Sequence, residues 1–250
     1  MPGDRLLVAK GVTRRFGGLT AVDRVSLSIG LGVVHAVIGT NGAGKSTLIN
    51  VLAGELPVSA GTVELGGRDV THWPQPRRAR AGVGRTYQRT TIFPGFTVHE
   101  NCRLAAQARH PQAWRLWPPA SKDRASRQLA DAAIEQSGLA ANAARIAGVL
   151  SHGEKRQLEI AMCLAAEPRV LLLDEPLAGM GASESQQMLR LIDRLKPSHG
   201  ILLVEHDMDA VFRVADWITV MVNGAVIASD VPEAVRANAE VQAAYLGEAA

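Results

Sequence analysis

The sequence predicts an α/β fold with a parallel sheet, a small antiparallel β layer and an inserted helical subdomain. Short apolar segments recur along the 250 residues, and runs such as VLLL at 170–173 and ILLV at 201–204 are apolar at successive positions. That pattern is typical of strands buried on both faces of a parallel sheet. Helical patterns lie between these segments, which gives the alternation of an α/β fold.

Five apolar segments in particular are expected to form strands. They are 6–12, 33–39, 169–174, 200–206 and 217–222. The first part of the chain, roughly 6–38 together with 61–67, is richer in strand patterns than the rest. We therefore expect this part to form the small antiparallel layer.

The composition changes in the middle of the chain, where Ala, Gln and Arg dominate and β-branched residues become rare. Helices are expected at 97–109, 122–137 and 153–166. We interpret about 96–165 as a helical subdomain inserted into a core of 1–95 and 166–250, all within one domain.

One stretch inside this helical part is rich in proline and tryptophan. It contains Pro111, Trp114, Trp117, Pro118 and Pro119. The favoured interpretation is a connection pinned by its two aromatic side chains.

The overall composition is that of a folded protein, with 47% apolar residues, 20% charged residues and a formal net charge of +3. This mild charge permits a phosphate ligand or an anionic surface without requiring nucleic acid. Cys102 and Cys163 lie in helical patterns without metal-ligand spacing, so we expect reduced, buried thiols. No signal peptide is visible, and the longest apolar runs are far below a membrane span.

A glycine-rich segment follows the strand expected at 33–39 and precedes a helical run. It comprises Gly39, Thr40, Asn41, Gly42, Ala43, Gly44, Lys45, Ser46 and Thr47. Glycines let backbone N–H groups turn inward, and the following helix directs the positive end of its dipole to the same place. Lys45 adds a charge for the β- and γ-phosphates, and the Ser46 hydroxyl can ligate Mg²⁺. The segment fits G-x-x-x-x-G-K-[ST], which predicts a P-loop ATPase core that binds ATP.

An acidic pair ends a second buried strand. Asp174 and Glu175 follow the run VLLL, at the edge of the sheet where ligands of open α/β sheets bind. Asp174 can hold Mg²⁺ together with Ser46, whereas Glu175 can polarise an attacking water as a general base. Such a pair can also simply supply charge to a helix N-terminus, but beside a phosphate loop the catalytic interpretation is favoured.

Three more side chains are candidates for the same site, and two of them have a structural alternative. His206 follows the strand ILLVE, and its imidazole can reach a γ-phosphate, although a lone histidine there is more often structural. Gln88 can complete the metal shell through its amide oxygen. Phe16 can offer a ring face to adenine, although an isolated phenylalanine is by default a core residue.

The segment LSHGEKRQLEI at 150–160 has the pattern of a capping box, because Ser151 and Glu154 lie three residues apart just before apolar positions. Any globular helix can begin in this way. The pattern alone therefore leaves two interpretations, an ordinary cap or a helix N-terminus that grips an anion.

Taken in chain order, these motifs resemble those of the ATP-binding subunits of ABC transporters over nearly the whole chain. The order is Phe16, the phosphate loop, Gln88, the signature LSHGE, the strand LLLDEP and then His206. A signature shortly before the Asp-Glu strand, with a histidine after the next strand, is specific to this family. Stretches such as VGRTYQRTTIFPGFTVHEN and RQLEIAMCLA look like the ATPases that serve uptake of branched-chain amino acids and related urea or amide importers.

The resemblance implies a homodimer or heterodimer in which two ATP molecules are sandwiched head to tail. Each ATP would lie between the phosphate loop of one subunit and the signature of the other. The signature residues concerned are Ser151, His152, Gly153 and Glu154, with His152 facing the γ-phosphate.

The resemblance also implies that the dimer docks on two transmembrane permease subunits at the cytoplasmic face of the inner membrane, fed by a periplasmic solute-binding protein. Dimer closure would reach the permease through the surface after Gln88. There Ile92, Phe93 and Phe96 either seat a permease helix or make a local core contact.

Two features depart from the family pattern. The signature usually reads L-S-G-G-Q, so His152 and Glu154 replace glycine and glutamine, and Gly181 stands where many members have an aspartate that crosses the dimer interface. The missing side chain at Gly181 puts that cross-dimer contact in doubt.

Three alternatives stay open: the ATPase of a lipid or lipopolysaccharide exporter, a nucleotide-binding module without turnover, and a nucleic-acid-associated ATPase. The last usually carries coiled-coil insertions or zinc motifs that this sequence lacks. The cluster of Arg77, Arg78 and Arg80 is short and is expected to be a solvated face, so no nucleic acid is expected.

Overall fold

A computed structural model of the chain describes residues 4–109 and 123–246. Its strands are β1 Arg5–Phe16, β2 Leu19–Gly30, β3 Val34–Gly39, β4 Ala60–Leu65, β5 Arg68–Asp69, β6 Val83–Arg85, β7 Val170–Asp174, β8 Gly200–Val204, β9 Trp217–Val222 and β10 Ala225–Asp230. Its helices are α1 Lys45–Ala53, α2 Gln75–Arg80, α3 Val98–Arg109, α4 Arg124–Ser137, α5 His152–Ala165, α6 Ala182–Leu195, α7 Met208–Val214, α8 Pro232–Ala237 and α9 Ala239–Leu246.

The main sheet has six strands in the order β10-β9-β3-β8-β7-β6. The five strands from β9 to β6 are parallel, which confirms the predicted sheet. Every residue of β3, β7 and β8 is buried, as their unbroken apolar runs predict. The outer strand β10 runs antiparallel to β9, which the sequence pattern did not predict.

The predicted antiparallel layer is a second sheet with the order β2-β1-β4-β5, but the end of the segment assigned to it, 34–38, lies instead in β3 of the main sheet. Helix α1 packs between the two sheets, and side chains such as Leu7 of β1, Leu52 of α1 and Leu202 of β8 share one buried cluster. The layer therefore covers the face of the main sheet on which the helix after the glycine-rich loop lies.

The expected helices of the middle segment are present as α3, α4 and α5. They pack on one another and on the opposite face of the main sheet, where Cys102, Ile134, Leu158 and Leu171 belong to one buried cluster. Helix α4 begins with a cap in which Asp123 accepts a hydrogen bond from the amide of Ala125 at 3.2 Å. The proline- and tryptophan-rich connection falls outside the described residues.

One sequence expectation is wrong: Arg78 is not part of a solvated basic face. It is 1% exposed and donates to the carbonyl oxygens of Val51 and Leu52 at the end of α1, at 2.8 and 2.7 Å. Burial lowers its pKa to about 10. The guanidinium thus binds carbonyls of the last turn, where no further helical turn supplies amide donors. Arg77 stacks on the ring of Trp73 at 3.8 Å.

The two cysteines are free thiols. Cys102 is buried and Cys163 is half-buried, and burial raises the pKa of each to about 12. Across residues 4–109 and 123–246, no helix is both long and apolar enough to cross a bilayer.

Candidate functional site

The loop between β3 and α1 holds its backbone where only glycine fits. Gly44 has φ +96°, and a Cβ there would lie 2.2 Å from the carbonyl oxygen of Ala21 on β2. A Cβ on Gly39 would lie 2.1 Å from the carbonyl oxygen of Met221 on β9. Neither distance is sterically possible, so both positions exclude larger residues. The loop is thereby wedged between the β1–β2 hairpin and the main sheet.

Lys45, the first residue of α1, folds its side chain across this loop. Its Nζ donates to the carbonyl oxygens of Gly39 and Thr40 at 2.5 and 2.9 Å, and the residue is 6% exposed. The N-cap of α1 is Gly44, which brings no capping side chain. A lysine ammonium and the positive end of a helix dipole therefore converge on one loop, which favours an anionic ligand.

The remaining residues of the loop follow the same course. Asn41, Gly42 and Ser46 are exposed, Thr40 and Thr47 are half-buried, and Ala43 is buried. The carbonyl of Ala43 accepts a hydrogen bond from the amide of Gly224 at 3.1 Å, which ties the loop to the β9–β10 turn.

Asp174 lies at the carboxyl end of β7, 3% exposed. Its Oδ2 is 3.6 Å from the guanidinium of Arg85, whereas its Oδ1 is buried without a hydrogen-bond partner in the part of the chain that the structure describes. Burial raises the pKa of this carboxyl, and the charge of Arg85 opposes that rise. Arg85 also contacts Glu55 at 3.0 Å and donates to Asn50 of α1. It therefore links the aspartate to the helix of the phosphate loop.

Glu175 occupies a left-handed backbone conformation with φ +48°, which is uncommon for a residue with a side chain. Its amide donates to the carbonyl of Val204 on β8 at 2.8 Å. Its carboxylate accepts a hydrogen bond from the Gln88 side chain at 3.2 Å. The structure thus brings Gln88 to Glu175, as expected if both face one site.

The segment that carries Gln88 is clamped by helix α5. Arg156 donates to the carbonyl oxygens of Tyr87 and Gln88, each at 2.6 Å, and pairs with Glu159 at 2.9 Å. Glu159 in turn accepts a hydrogen bond from the amide of Thr91 at 2.7 Å. The clamp is buried, since the two charged side chains are 5% and 3% exposed.

His206 lies just after β8, and its side chain is 62% exposed. The preceding Glu205 is fully buried and accepts hydrogen bonds from the amides of Leu177 and His206, at 2.8 and 3.2 Å. Burial raises the pKa of Glu205. This carboxylate joins the turn of His206 to the loop that follows Glu175.

Phe16 ends β1 and is 41% exposed, so it is not a core residue. The guanidinium of Arg14 lies 4.4 Å from its ring centroid. The hairpin that Phe16 enters is the one that meets Gly44 through Ala21. The aromatic side chain is therefore on the element that borders the phosphate loop.

The signature segment does form a capping box at the start of α5. Ser151 Oγ accepts a hydrogen bond from the amide of Glu154 at 3.2 Å, and Glu154 accepts one from the amide of Ser151 at 2.7 Å. That backbone hydrogen bond lowers the pKa of Glu154. The local interpretation as a cap is confirmed.

The same helix end also contacts the first turn of α6 and the loop after Glu175. Ser151 Oγ donates to the carboxylate of Glu184 at 3.3 Å, and the amide of Gly153 donates to the same oxygen at 3.2 Å. The imidazole of His152 donates from Nε2 to the carbonyl of Ala178 at 2.9 Å. That His152 faces a γ-phosphate in a dimer stays a prediction.

Five residues of this network were missed from the sequence: Arg85, Arg156, Glu159, Glu184 and Glu205. Arg156 and Glu159 carried a signal, since opposite charges three residues apart face each other on a helix. The sequence signal for Glu184 was weaker: it lies three residues after Gly181, at the start of an apolar pattern that predicts a helix. Arg85 and Glu205 contact residues that are distant in the sequence, and no local sequence pattern indicates such contacts.

This phosphate loop, followed by an acidic strand end and a capped signature helix, defines a nucleotide-binding ATPase domain. The family model described as "ABC transporter" matches residues 22–178, and one described as "Branched-chain amino acid ATP-binding cassette transporter" matches 225–250. The chain belongs to the ABC transporter family, as an ATP-hydrolysing subunit.

Particular relatives are similar over nearly their full length. The chain is 40% identical to the high-affinity branched-chain amino acid transport ATP-binding protein BraF of Pseudomonas aeruginosa, covering 98% of each chain. It is 39% identical to the corresponding protein LivG of Escherichia coli, again covering 98% of each. The solved ADP conformation of MJ1267, an ATP-binding cassette of an ABC transporter, superposes with a TM-score of 0.86 at 29% identity, covering 97% of this chain and 99% of that one.

Proposed function

We propose that this chain powers the import of branched-chain amino acids or related small solutes through a membrane permease. The observation that carries the proposal is similarity along the whole chain to ATP-binding proteins of branched-chain amino acid transport, including the C-terminal segment 225–250. The exporter and nucleic-acid alternatives have no comparable support.

In this proposal ATP is bound by the loop of 39–47 and by the hairpin beside it. Lys45 exchanges its hydrogen bonds with Gly39 and Thr40 for the phosphate oxygens, while loop amides and the α1 dipole stabilise their charge. Phe16 stacks on adenine with the ring face that Arg14 leaves open.

The site also fits Mg²⁺, the expected cofactor. Oxygen ligands are what this ion prefers, and Asp174 Oδ1 is a buried carboxylate oxygen without a hydrogen-bond partner in the described residues. Ser46 and Gln88 supply the other proposed ligand oxygens. Mg²⁺ bound there would neutralise phosphate charge.

Glu175 is the proposed general base. Its carboxylate accepts the proton of the attacking water, and its hydrogen bond from Gln88 holds the carboxylate in place. His206 is exposed and is anchored through its own amide to Glu205, so its imidazole is available to hold the γ-phosphate.

We further propose that two ATPase subunits, identical or different, close around two ATP molecules. Ser151, His152, Gly153 and Glu154 would then complete the site of the other subunit. The exposed hydroxyl of Ser151 and the amide of Gly153 at a helix N-terminus are the donors that such a phosphate needs.

We propose that the segment of this chain after Gln88 contacts the permease at the cytoplasmic face of the inner membrane. A periplasmic binding protein would supply the solute to that permease. Phe93 and Phe96 stack at 5.7 Å and are 51% and 44% exposed, whereas Ile92 packs against the core. The two phenylalanines therefore form the docking surface. We propose that α3, α4 and α5, within about 96–165, form a helical subdomain inserted into the core of 1–95 and 166–250.

Two variants and one transport assay test these proposals. Glu175→Gln is expected to keep ATP binding and to slow hydrolysis roughly 10²–10⁴-fold, the usual contribution of a general base. Lys45→Ala should weaken binding of a fluorescent nucleotide. Deletion of the gene should reduce uptake of radiolabelled leucine, with rescue by wild type but not by Glu175→Gln. Unchanged uptake of leucine, isoleucine and valine in the deletion strain would contradict the proposed solute.

A further inference from the structure

A carboxylate of the chain itself lies on the donors of the signature helix. Glu184 Oε1 accepts hydrogen bonds from Ser151 Oγ at 3.3 Å and from the amide of Gly153 at 3.2 Å. Its other oxygen, Oε2, faces the amide of Gly181 at 3.4 Å. One negatively charged side chain therefore bridges the N-terminal ends of α5 and α6.

The approach of this carboxylate depends on Gly153. A Cβ at that position would lie 2.8 Å from Glu184 Oε1, so a side chain there would displace the carboxylate from the helix end. The helix has 14 residues, so its aligned peptide dipoles favour an anion at this end. Glu184 supplies that anion within a single chain.

We infer that Glu184 competes with the ATP phosphate of a second subunit for Ser151 and Gly153, and thereby sets the ATP concentration at which the dimer closes. This rests on the proposed function, in which these two groups grip the other subunit's nucleotide. A carboxylate and a phosphate both accept hydrogen bonds and carry like charge, so they cannot share the same two donors. Closure therefore requires Glu184 to withdraw.

The side chain is placed so that it can withdraw without unfolding its helix. Glu184 is only half-buried and is the third residue of α6, where a glutamate can turn back to the amide of Gly181 or extend into solvent. The capping box of Ser151 and Glu154 does not involve Glu184, so α5 keeps its cap when the carboxylate leaves.

The test measures ATP-dependent dimerisation of the full chain by sedimentation velocity in a Glu175→Gln background, in which hydrolysis is slowed. Glu184→Gln keeps the size of the side chain and removes its charge, and should lower the ATP concentration at half-dimerisation about tenfold, since hydrogen bonds to charged acceptors are the strong ones. Glu184→Ala should shift it in the same direction. Asp193→Asn removes one charge from an exposed position of the same helix and controls for net charge.

The outcomes separate this inference from the function on which it rests. If the Glu175→Gln parent forms no ATP-dependent dimer either with itself or with the second ATPase subunit of the transporter, or if Ser151→Ala does not weaken that dimer, the proposed signature grip fails and the competition with it. If the parent dimerises and Ser151→Ala weakens the dimer, but both Glu184 variants leave closure unchanged or make it harder, only the competition is refuted. A shift with Asp193→Asn as large as that with Glu184→Gln would also refute it.

Discussion

Replacing Arg156 by methionine should destabilise the fold and slow hydrolysis. The guanidinium has three acceptors in a buried setting: two carbonyl oxygens of the segment that carries Gln88, and Glu159 at 2.9 Å. Methionine fills much of the volume but leaves the Glu159 carboxylate buried without its counter-ion. Removing one member of a buried pair costs about 3–5 kcal/mol. In a domain of this size that corresponds to a fall in Tm of about 10 °C.

The cost should depend on pH, because burial already raises the pKa of Glu159. Without Arg156 the pKa of Glu159 rises further, so the native state of the variant binds this proton more tightly than its unfolded chain does. The free energy of unfolding of Arg156→Met, relative to wild type, is therefore lowest at neutral and higher pH and recovers as the pH falls. Chemical denaturation at pH 7.5 and pH 5.5 measures both values.

A double variant separates charge from packing. Arg156→Met with Glu159→Gln removes the unpaired carboxylate and should recover about half of the lost stability. ATP affinity should stay near wild type in both variants, since Lys45 and its loop are untouched, while turnover falls because Gln88 is no longer held. A loss below about 1 kcal/mol in the single variant, or a double variant less stable than the single, would refute this account of the clamp.

Two further predictions concern the loop and the core. Gly44→Ala should abolish nucleotide binding, because its Cβ would overlap the carbonyl oxygen of Ala21. Gly18→Ala is the control, since a Cβ there meets no atom within 4 Å, and this variant should bind nucleotide normally. Equal affinities of the two variants in a nucleotide titration would contradict the steric role of Gly44. His35 is fully buried, and burial lowers its pKa to about 4 from about 6.5. The unfolded chain therefore binds this proton at a higher pH than the native state, and the free energy of unfolding of the wild type falls by about 3 kcal/mol between pH 7 and pH 4. His35→Gln cannot bind this proton, so its free energy of unfolding should fall by about 3 kcal/mol less than that of the wild type over the same pH range. An equal fall in the two proteins, measured by urea denaturation at pH 7 and pH 4, would contradict this prediction.

The sequence predicted the parts of the fold that depend on local pattern. The strands β3, β7 and β8 were visible because burial on both faces demands unbroken apolar runs. The phosphate loop was visible because its glycines and Lys45 occupy fixed offsets between a strand and a helix. The capping box was visible because the pairing of Ser151 and Glu154 is local.

What the sequence did not show depends on residues far apart in the chain. Arg78 looked like a surface charge, and only the arrival of the α1 C-terminus beside it explains its burial. Arg85 joins Asp174 to Asn50, and Glu205 joins Leu177 to the turn of His206. Such partners are set by tertiary structure, which one sequence without its fold does not reveal.

Helix α5 has a mechanical consequence. Ser151 is its N-cap and Glu159 lies eight residues further on, so about 12 Å of helix separates the proposed phosphate-binding end from the clamp on residues 87–91. If α5 rotates by about 5° about a point near the clamp, its N-terminal end moves by about 1 Å. That displacement is enough to make or break hydrogen bonds of Ser151 and Gly153. In the proposed dimer, a small movement of the surface after Gln88 would therefore strengthen or weaken the contacts of Ser151 and Gly153 with the nucleotide, because α5 transmits it.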